Sequence, residues 1–196
     1  VDYKDGADIN TIKDVESVLL YGIGRAYGLE FLLKKKEGQF TGWISYTLSK
    51  TERKINGIND NNWYNAKQDR THDLALVGVY TLNPRWSVSG VFVYNTGDAV
   101  TFPTGKYQIQ GHSYGFQYGI RGQTVYQYAS RNANRMPTNH RMDLSVTYDK
   151  KKTKRIQESW NFSLYNVYGR ENAYQINFQE DPTDPTRTQI IQTALF

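Results

Sequence analysis

Short and long connections alternate along this chain, and that alternation limits what it can fold into. Segments that read as β-strands are joined in turn by tight basic turns and by long polar loops rich in aromatics. The tight turns are Lys35-Lys36-Glu37-Gly38-Gln39, Asn83-Pro84 and Asp149-Lys150-Lys151-Lys152-Thr153-Lys154; the long loops cover roughly 51–71, 96–139 and 169–187. Antiparallel neighbours need only a few residues to turn, whereas parallel ones need a long crossover. The pattern therefore predicts an all-β antiparallel meander, with its short turns on one rim and its long loops on the other.

Periodicity supports this. In 26–35, Tyr27, Leu29, Phe31 and Leu33 share one face, against Gly28, Glu30, Leu32 and Lys34. In 40–49, Phe40, Gly42, Ile44, Tyr46 and Leu48 oppose Thr41, Trp43, Ser45, Thr47 and Ser49. Segment 85–95 aligns Trp86, Val88, Gly90, Phe92 and Tyr94; Met142, Leu144, Val146 and Tyr148 alternate with Arg141, Asp143, Ser145 and Thr147. Segment 159–167 sets Trp160, Phe162 and Leu164 against Ser159, Asn161 and Ser163. Segment 73–82 is apolar on both faces, so its orientation stays open. Each segment has about the ten residues that a tilted strand needs to cross hydrocarbon. Six crossing strands are expected, with 173–178 and 188–196 as an outer hairpin around the turn-rich Asp181-Pro182-Thr183-Asp184-Pro185. Loop 96–139 is expected to be structureless. It carries Tyr107, Tyr114, Phe116, Tyr118, Tyr126 and Tyr128, a mix suited to packing over a pore or gripping a ligand.

Composition narrows the class. The chain lacks cysteine, which removes disulfides and thiolate metal sites. It has no apolar run of about 18 residues, so a transmembrane helix is excluded. Mean hydropathy is −0.70, which says nothing against a barrel, where only alternate residues face lipid. The 16 tyrosines suit interfacial aromatic girdles, or equally a soluble β-sandwich. Of the net charge of +5, the short turns with their flanking residues carry +7, leaving −2 elsewhere. Cations gathered at strand ends on one rim suit an anionic phospholipid leaflet rather than nucleic acid. The plainer alternative is a set of solvated turns that guard against aggregation.

Candidate sites are few. Trp63 and Tyr64, after Asn59-Asp60-Asn61-Asn62, are placed to stack on a sugar or other ring; Tyr126 and Tyr128 are further ligand-facing candidates. Arg121, with Arg131 and Arg135, puts positive charge in the longest loop, available to an anionic ligand or lipopolysaccharide phosphate. The asparagine run lacks the glutamate that closes a calcium loop. His72 beside Asp73, and His140 three before Asp143, offer a base with an orienting carboxylate, but no Gly-x-Ser-x-Gly motif accompanies them. These clusters are read as structural. No catalytic residue, metal or cofactor is expected.

Several stretches resemble a known family. Arg25-Ala26-Tyr27-Gly28-Leu29-Glu30-Phe31 followed by 38–51 is similar to the late barrel of TonB-dependent outer-membrane receptors. So are Gln68-Asp69-Arg70-Thr71-His72-Asp73-Leu74, Arg85-Trp86-Ser87-Val88-Ser89-Gly90 and Pro137-Thr138-Asn139-His140-Arg141-Met142-Asp143-Leu144-Ser145. Residues 161–174 resemble the penultimate strand, particularly of members with a carboxypeptidase-regulatory-like N-terminal extension. The resemblance implies a transmembrane barrel, 22-stranded in the family, with short periplasmic turns and long extracellular loops. It also implies energy-coupled uptake of a scarce ligand: a siderophore, cobalamin, an oligosaccharide or a peptide. Residues 1–196 are then one partial β-barrel domain without the family's plug, TonB box, earlier strands and closing strand. The implied location is the Gram-negative outer membrane. The implied partners are membrane lipid and lipopolysaccharide, the remainder of the barrel and plug, TonB through the absent N-terminal region, and a surface lipoprotein. Alternatives are a self-contained eight-stranded outer-membrane barrel serving adhesion or integrity, a soluble carbohydrate-binding sandwich, and an outer-membrane hydrolase built on His72 or His140.

Overall fold

The computed structural model describes residues 2–3, 15–110, 122–150, 156–184 and 187–195. Among them the strands are β1 (Asp2–Tyr3), β2 (Leu19–Leu20), β3 (Gly22–Lys35), β4 (Phe40–Ile55), β5 (Tyr64–Asn65), β6 (His72–Asn83), β7 (Trp86–Asn95), β8 (Ala99–Val100), β9 (Pro103–Gln110), β10 (Gly122–Tyr128), β11 (Asn134–Arg135), β12 (Asn139–Asp149), β13 (Ser159–Leu164), β14 (Asn172–Glu180) and β15 (Thr188–Leu195). Helical structure is confined to single 3-10 turns at Val15–Val18 and Asn59–Asn61. The fold is all-β and antiparallel, as the alternation predicts. The chain divides into two compact units. The first comprises Val1–Arg25, Thr51–Asp69 and Asp98–Arg135; the second comprises Ala26–Lys50, Arg70–Gly97 and Met136–Phe196.

The second unit is built on a meander ordered β13-β12-β7-β6-β4-β3. The described strands leave it open, without closure into a barrel. Its turns follow from local chemistry. Gly38, at φ +98°, closes the turn between β3 and β4 in a conformation that favours glycine. Asn83 Oδ1 accepts the backbone N–H groups of Arg85 (2.9 Å) and Trp86 (3.1 Å), fixing the turn between β6 and β7. The connection after β12 has Lys150 and residues 156–158 described; Lys151, Lys152, Lys154 and Arg155 lie outside the described residues.

Register settles what periodicity left open. Ile44 pairs with Leu76, Leu76 with Phe92, and Phe92 with Met142. The Leu74, Leu76 and Tyr80 side of β6 therefore joins the apolar face of its neighbours. The opposite face brings together Ser89, Ser145 and Ser163. There Ser89 Oγ and Ser145 Oγ share a hydrogen bond of 2.7 Å, and Asn161 Nδ2 donates to Thr147 Oγ1 at 2.8 Å.

β14 and β15 pair as the expected hairpin. Beside it, Asp181 Oδ1 accepts both the backbone N–H of Thr183 (2.8 Å) and its hydroxyl (2.6 Å). Chiefly through that hydroxyl, the carboxyl is held down from 3.8 to about 2. A carboxyl depressed on folding stabilises above its unfolded value, and that stabilisation is lost as pH falls through the folded one. The turn is accordingly expected to loosen between about pH 4 and pH 2. In a carboxyl carbon NMR titration, Thr183→Val should move the Asp181 midpoint upward; an unmoved midpoint refutes the assignment.

The first unit corrects the expected structureless loop. Segment 96–139 contains the β9–β10 hairpin and the β8–β11 pairing. Tyr107 and Ile109 alternate with Lys106, Gln108 and Gln110, but over too few residues to mark a strand inside a long polar loop. β4 also runs on to Ile55, and Glu52 pairs with Asn65. Ile55, Ile58 and Tyr64 form a small core against Leu20.

Candidate functional site

In the second unit the sheet's apolar face is the feature that needs explaining. At the turn end, Trp86 and Tyr148 sit with ring centroids 4.7 Å apart, and Trp160 pairs with Tyr148. Toward the loop end, Tyr46 pairs with Leu74, Leu74 with Tyr94, and Tyr94 with His140. Between these rows lie apolar side chains and a line of glycines, Gly42, Gly78 and Gly90, that continues into Leu144 and Leu164. Eight residues separate Trp86 from Tyr94, about 27 Å along a strand at ~3.4 Å per residue.

This face is not a core. Phe31 is 60% exposed, Ile44 45% and Phe162 63%. No described apolar side chain of the second unit is buried; the buried ones all belong to the first. Large contiguous exposed apolar surfaces are uncommon on soluble monomers.

The loop end carries the two histidines in hydrogen-bonded clusters. Tyr46 Oη bonds His72 Nδ1 at 2.8 Å, and Tyr168 Oη bonds His140 Nδ1 at 2.7 Å. His140 and Asn172 exchange backbone and amide hydrogen bonds, both 3.1 Å. An odd offset along a strand puts two side chains on opposite faces. Asp143 is therefore turned away from His140; it accepts Arg141 Nε (3.0 Å) and the backbone N–H of Asn166 (2.9 Å). His72 and Asp73 are separated in the same way. The base–carboxylate pairing considered from sequence does not form.

In the first unit, the guanidinium of Arg25 lies 4.2 Å over the half-buried Trp63 ring while donating to Glu52 (Nε–Oε2 2.8 Å). One Trp63 face is thus occupied by a cation. Tyr64 is 5% exposed and packed into the core, so its ring is not offered to a ligand as the sequence suggested. Tyr126 is half-buried beside Lys106 in register, and Tyr128 is 60% exposed. Arg121, like Tyr114, Phe116 and Tyr118, lies outside the described residues. Arg135, expected to meet an anionic ligand, instead binds the fully buried Asp69 carboxylate, and its Nη1 donates to the Asp69 carbonyl at 2.8 Å. Asn59, Asp60 and Asn61 all take positive φ, a tight left-handed turn. No cluster of three metal-ligating side chains occurs among the described residues.

Sequence reasoning missed the asparagine clasps. Asn59 Oδ1 accepts the Arg131 N–H (2.7 Å) while Asn59 Nδ2 donates to the Arg131 carbonyl (3.0 Å). Asn132 Nδ2 donates to the Asn65 carbonyl at 2.8 Å. These partners sit 67 to 72 residues apart, and no local pattern announces them.

No family model, curated protein or solved structure matches this chain.

Proposed function

We propose that the chain is a late portion of the barrel of a TonB-dependent outer-membrane receptor, serving energy-coupled uptake of a scarce ligand. The carrying observation is the exposed apolar face of the second unit, bounded by two aromatic rows and backed by a face that is polar along β12 and β13, at Ser145, Thr147, Asn161 and Ser163, and apolar at Trp43, Val77 and Val91 of β4, β6 and β7. Turned toward acyl chains, that face has its natural solvent, and the serines and threonines of the other face line water. The motifs quoted from the sequence supply the family. Open strand edges are not tolerated in hydrocarbon, where unpaired backbone groups cost several kcal/mol each. β3 and β13 are therefore completed by further strands. In this reading the chain supplies wall and loops; Trp63, Tyr126 and Tyr128 remain ligand candidates, and no residue carries out chemistry.

These 196 residues hold no cysteine, so single cysteines introduced into them can be read against the unsubstituted full-length protein. Single Leu144→Cys, Phe162→Cys, Ser145→Cys and Ser163→Cys variants of the full-length protein are labelled in intact cells with a charged, membrane-impermeant maleimide. The serine positions are expected to react and the two apolar positions to stay protected until detergent is added. Equal reaction on both faces, or recovery of the protein in the soluble fraction, refutes the membrane assignment. Ligand uptake that survives loss of TonB refutes the energy coupling.

A further inference from the structure

The turn that ends β4 carries a reactive dipeptide. Asparagine is followed directly by glycine once in the chain, at Asn56-Gly57. Both residues are exposed, and the turn is closed by the Ile58 N–H donating to the Ile55 carbonyl at 3.2 Å. Gly57 is the third of the four turn residues and takes φ +85°. That is the position and sign a type II turn reserves for glycine. Space is not the reason, since a Cβ there would meet only the Leu20 side chain, at 3.8 Å. The backbone of the turn therefore demands a glycine after Asn56. An asparagine side-chain amide can be attacked by the backbone nitrogen of the residue that follows, and glycine, without a Cβ, leaves that nitrogen open to close approach. Here the nitrogen is held elsewhere. Gly57 N–H donates to Asn61 Oδ1 at 2.8 Å, and Asn61 is itself fixed by its N–H bond to the Ile58 carbonyl at 3.0 Å.

We propose that Asn56 is a deamidation site whose rate is set by the Asn61 side chain. When the Asn61 contact opens, the Gly57 nitrogen attacks Asn56 Cγ. A new C–N bond closes a five-membered succinimide, and the side-chain nitrogen leaves as ammonia with the proton that Gly57 gives up. Water then adds to one of the two ring carbonyls and breaks its C–N bond, leaving aspartate or isoaspartate. No electrons are exchanged. Either product adds a negative charge. Isoaspartate also routes the main chain through its Cβ, lengthening the turn between Ile55 and Ile58. Those side chains are 1% and 0% exposed and belong to the small core of the first unit. Deamidation is thus a slow, one-way loosening of that core. The site is independent of the uptake reading.

The test incubates the full-length protein in mildly alkaline buffer and follows each asparagine by peptide mass mapping, which registers deamidation as a mass change. Asn56 is expected to convert faster than every other asparagine of these 196 residues. Two variants isolate the Asn61 oxygen, because glycine and aspartate both tolerate its φ of +62°. Asn61→Gly removes the acceptor and should speed conversion at Asn56 about fivefold, the factor equivalent to the net contribution of one hydrogen bond. Asn61→Asp keeps an acceptor and should convert at the parent's rate. Asn56→Gln, which would have to close a six-membered ring, should abolish the mass change. Conversion at Asn56 no faster than elsewhere overturns the site. Equal rates in Asn61→Gly and Asn61→Asp overturn the control by Asn61.

Discussion

Asp69→Ala is expected to cost the first unit about 3 kcal/mol, the lower end of the 3–5 kcal/mol seen when one partner of a buried ion pair is removed. Asp69 is fully buried and accepts from Arg135 and from the backbone N–H of Thr51. Its loss strands that N–H and takes a carboxylate away from the Arg135 guanidinium. The Arg135 side chain is 28% exposed, so water recovers part of the penalty, hence the lower figure. Hydrogen exchange at the amides of Thr51, Ala66 and Ala99 should accelerate about a hundredfold, the kinetic equivalent of that loss. Ala66 and Ala99 donate to the carbonyls of Thr51 and Lys67, so they report on the same stretch. Replacing both partners, as Asp69→Leu with Arg135→Met, should be far milder, because nothing charged is then left behind. Rates in Asp69→Ala within threefold of the parent would show that the pair holds nothing together.

The second large effect tests which way the sheet faces. Leu144 lies midway between the aromatic rows, opposite Gly90 and Leu164, on the apolar side. Leu144→Arg is expected to cost about 2–4 kcal/mol of folding into a bilayer, the penalty for a cation at the midplane of a barrel's lipid face. Trp160→Arg, at the turn-end row, should cost about 1 kcal/mol or less by the same depth dependence. Ser145→Arg, one residue along but on the hydroxyl side, should assemble nearly normally. Urea titration of folding into phospholipid vesicles reads all three. A soluble sandwich with this face as its core predicts no such gradient with depth and no requirement for vesicles. Equal costs at Leu144 and Ser145 would remove the distinction between faces.

The meander was legible in the sequence where one face is apolar and the other polar. Residues 26–35, 40–49 and 141–148 announced themselves in that way, and the observed strands contain them. β6 was not fully legible, because Ala75, Val77 and Val79 are as apolar as Leu74 and Leu76. Its orientation comes only from its pairing with β4 and β7. The β9–β10 hairpin was invisible for the opposite reason. Its strands carry only a brief hydrophobic period, Tyr107 and Ile109 against Lys106 and Gln108, set among glutamines and glycines. The candidate site divided similarly. Trp63 could be singled out as an aromatic in a polar loop, but whether Tyr64 faced solvent depended on Leu20, Ile55 and Ile58 closing over it. The Asp69–Arg135 pair spans 66 residues, beyond anything a local window can relate.

The asparagine clasps also set an order of assembly. β6 with β7, and β14 with β15, are joined by short connections, so their ladders can zip locally at small entropic cost. Asn59 cannot grip the Arg131 backbone until residues some 72 positions apart have been brought together. The polypeptide segments around Asn59 and Arg131 should therefore be the last to lock during folding. A nascent molecule with its meander already zipped would still display them as loose tethers, open to a chaperone or a protease until the clasps engage.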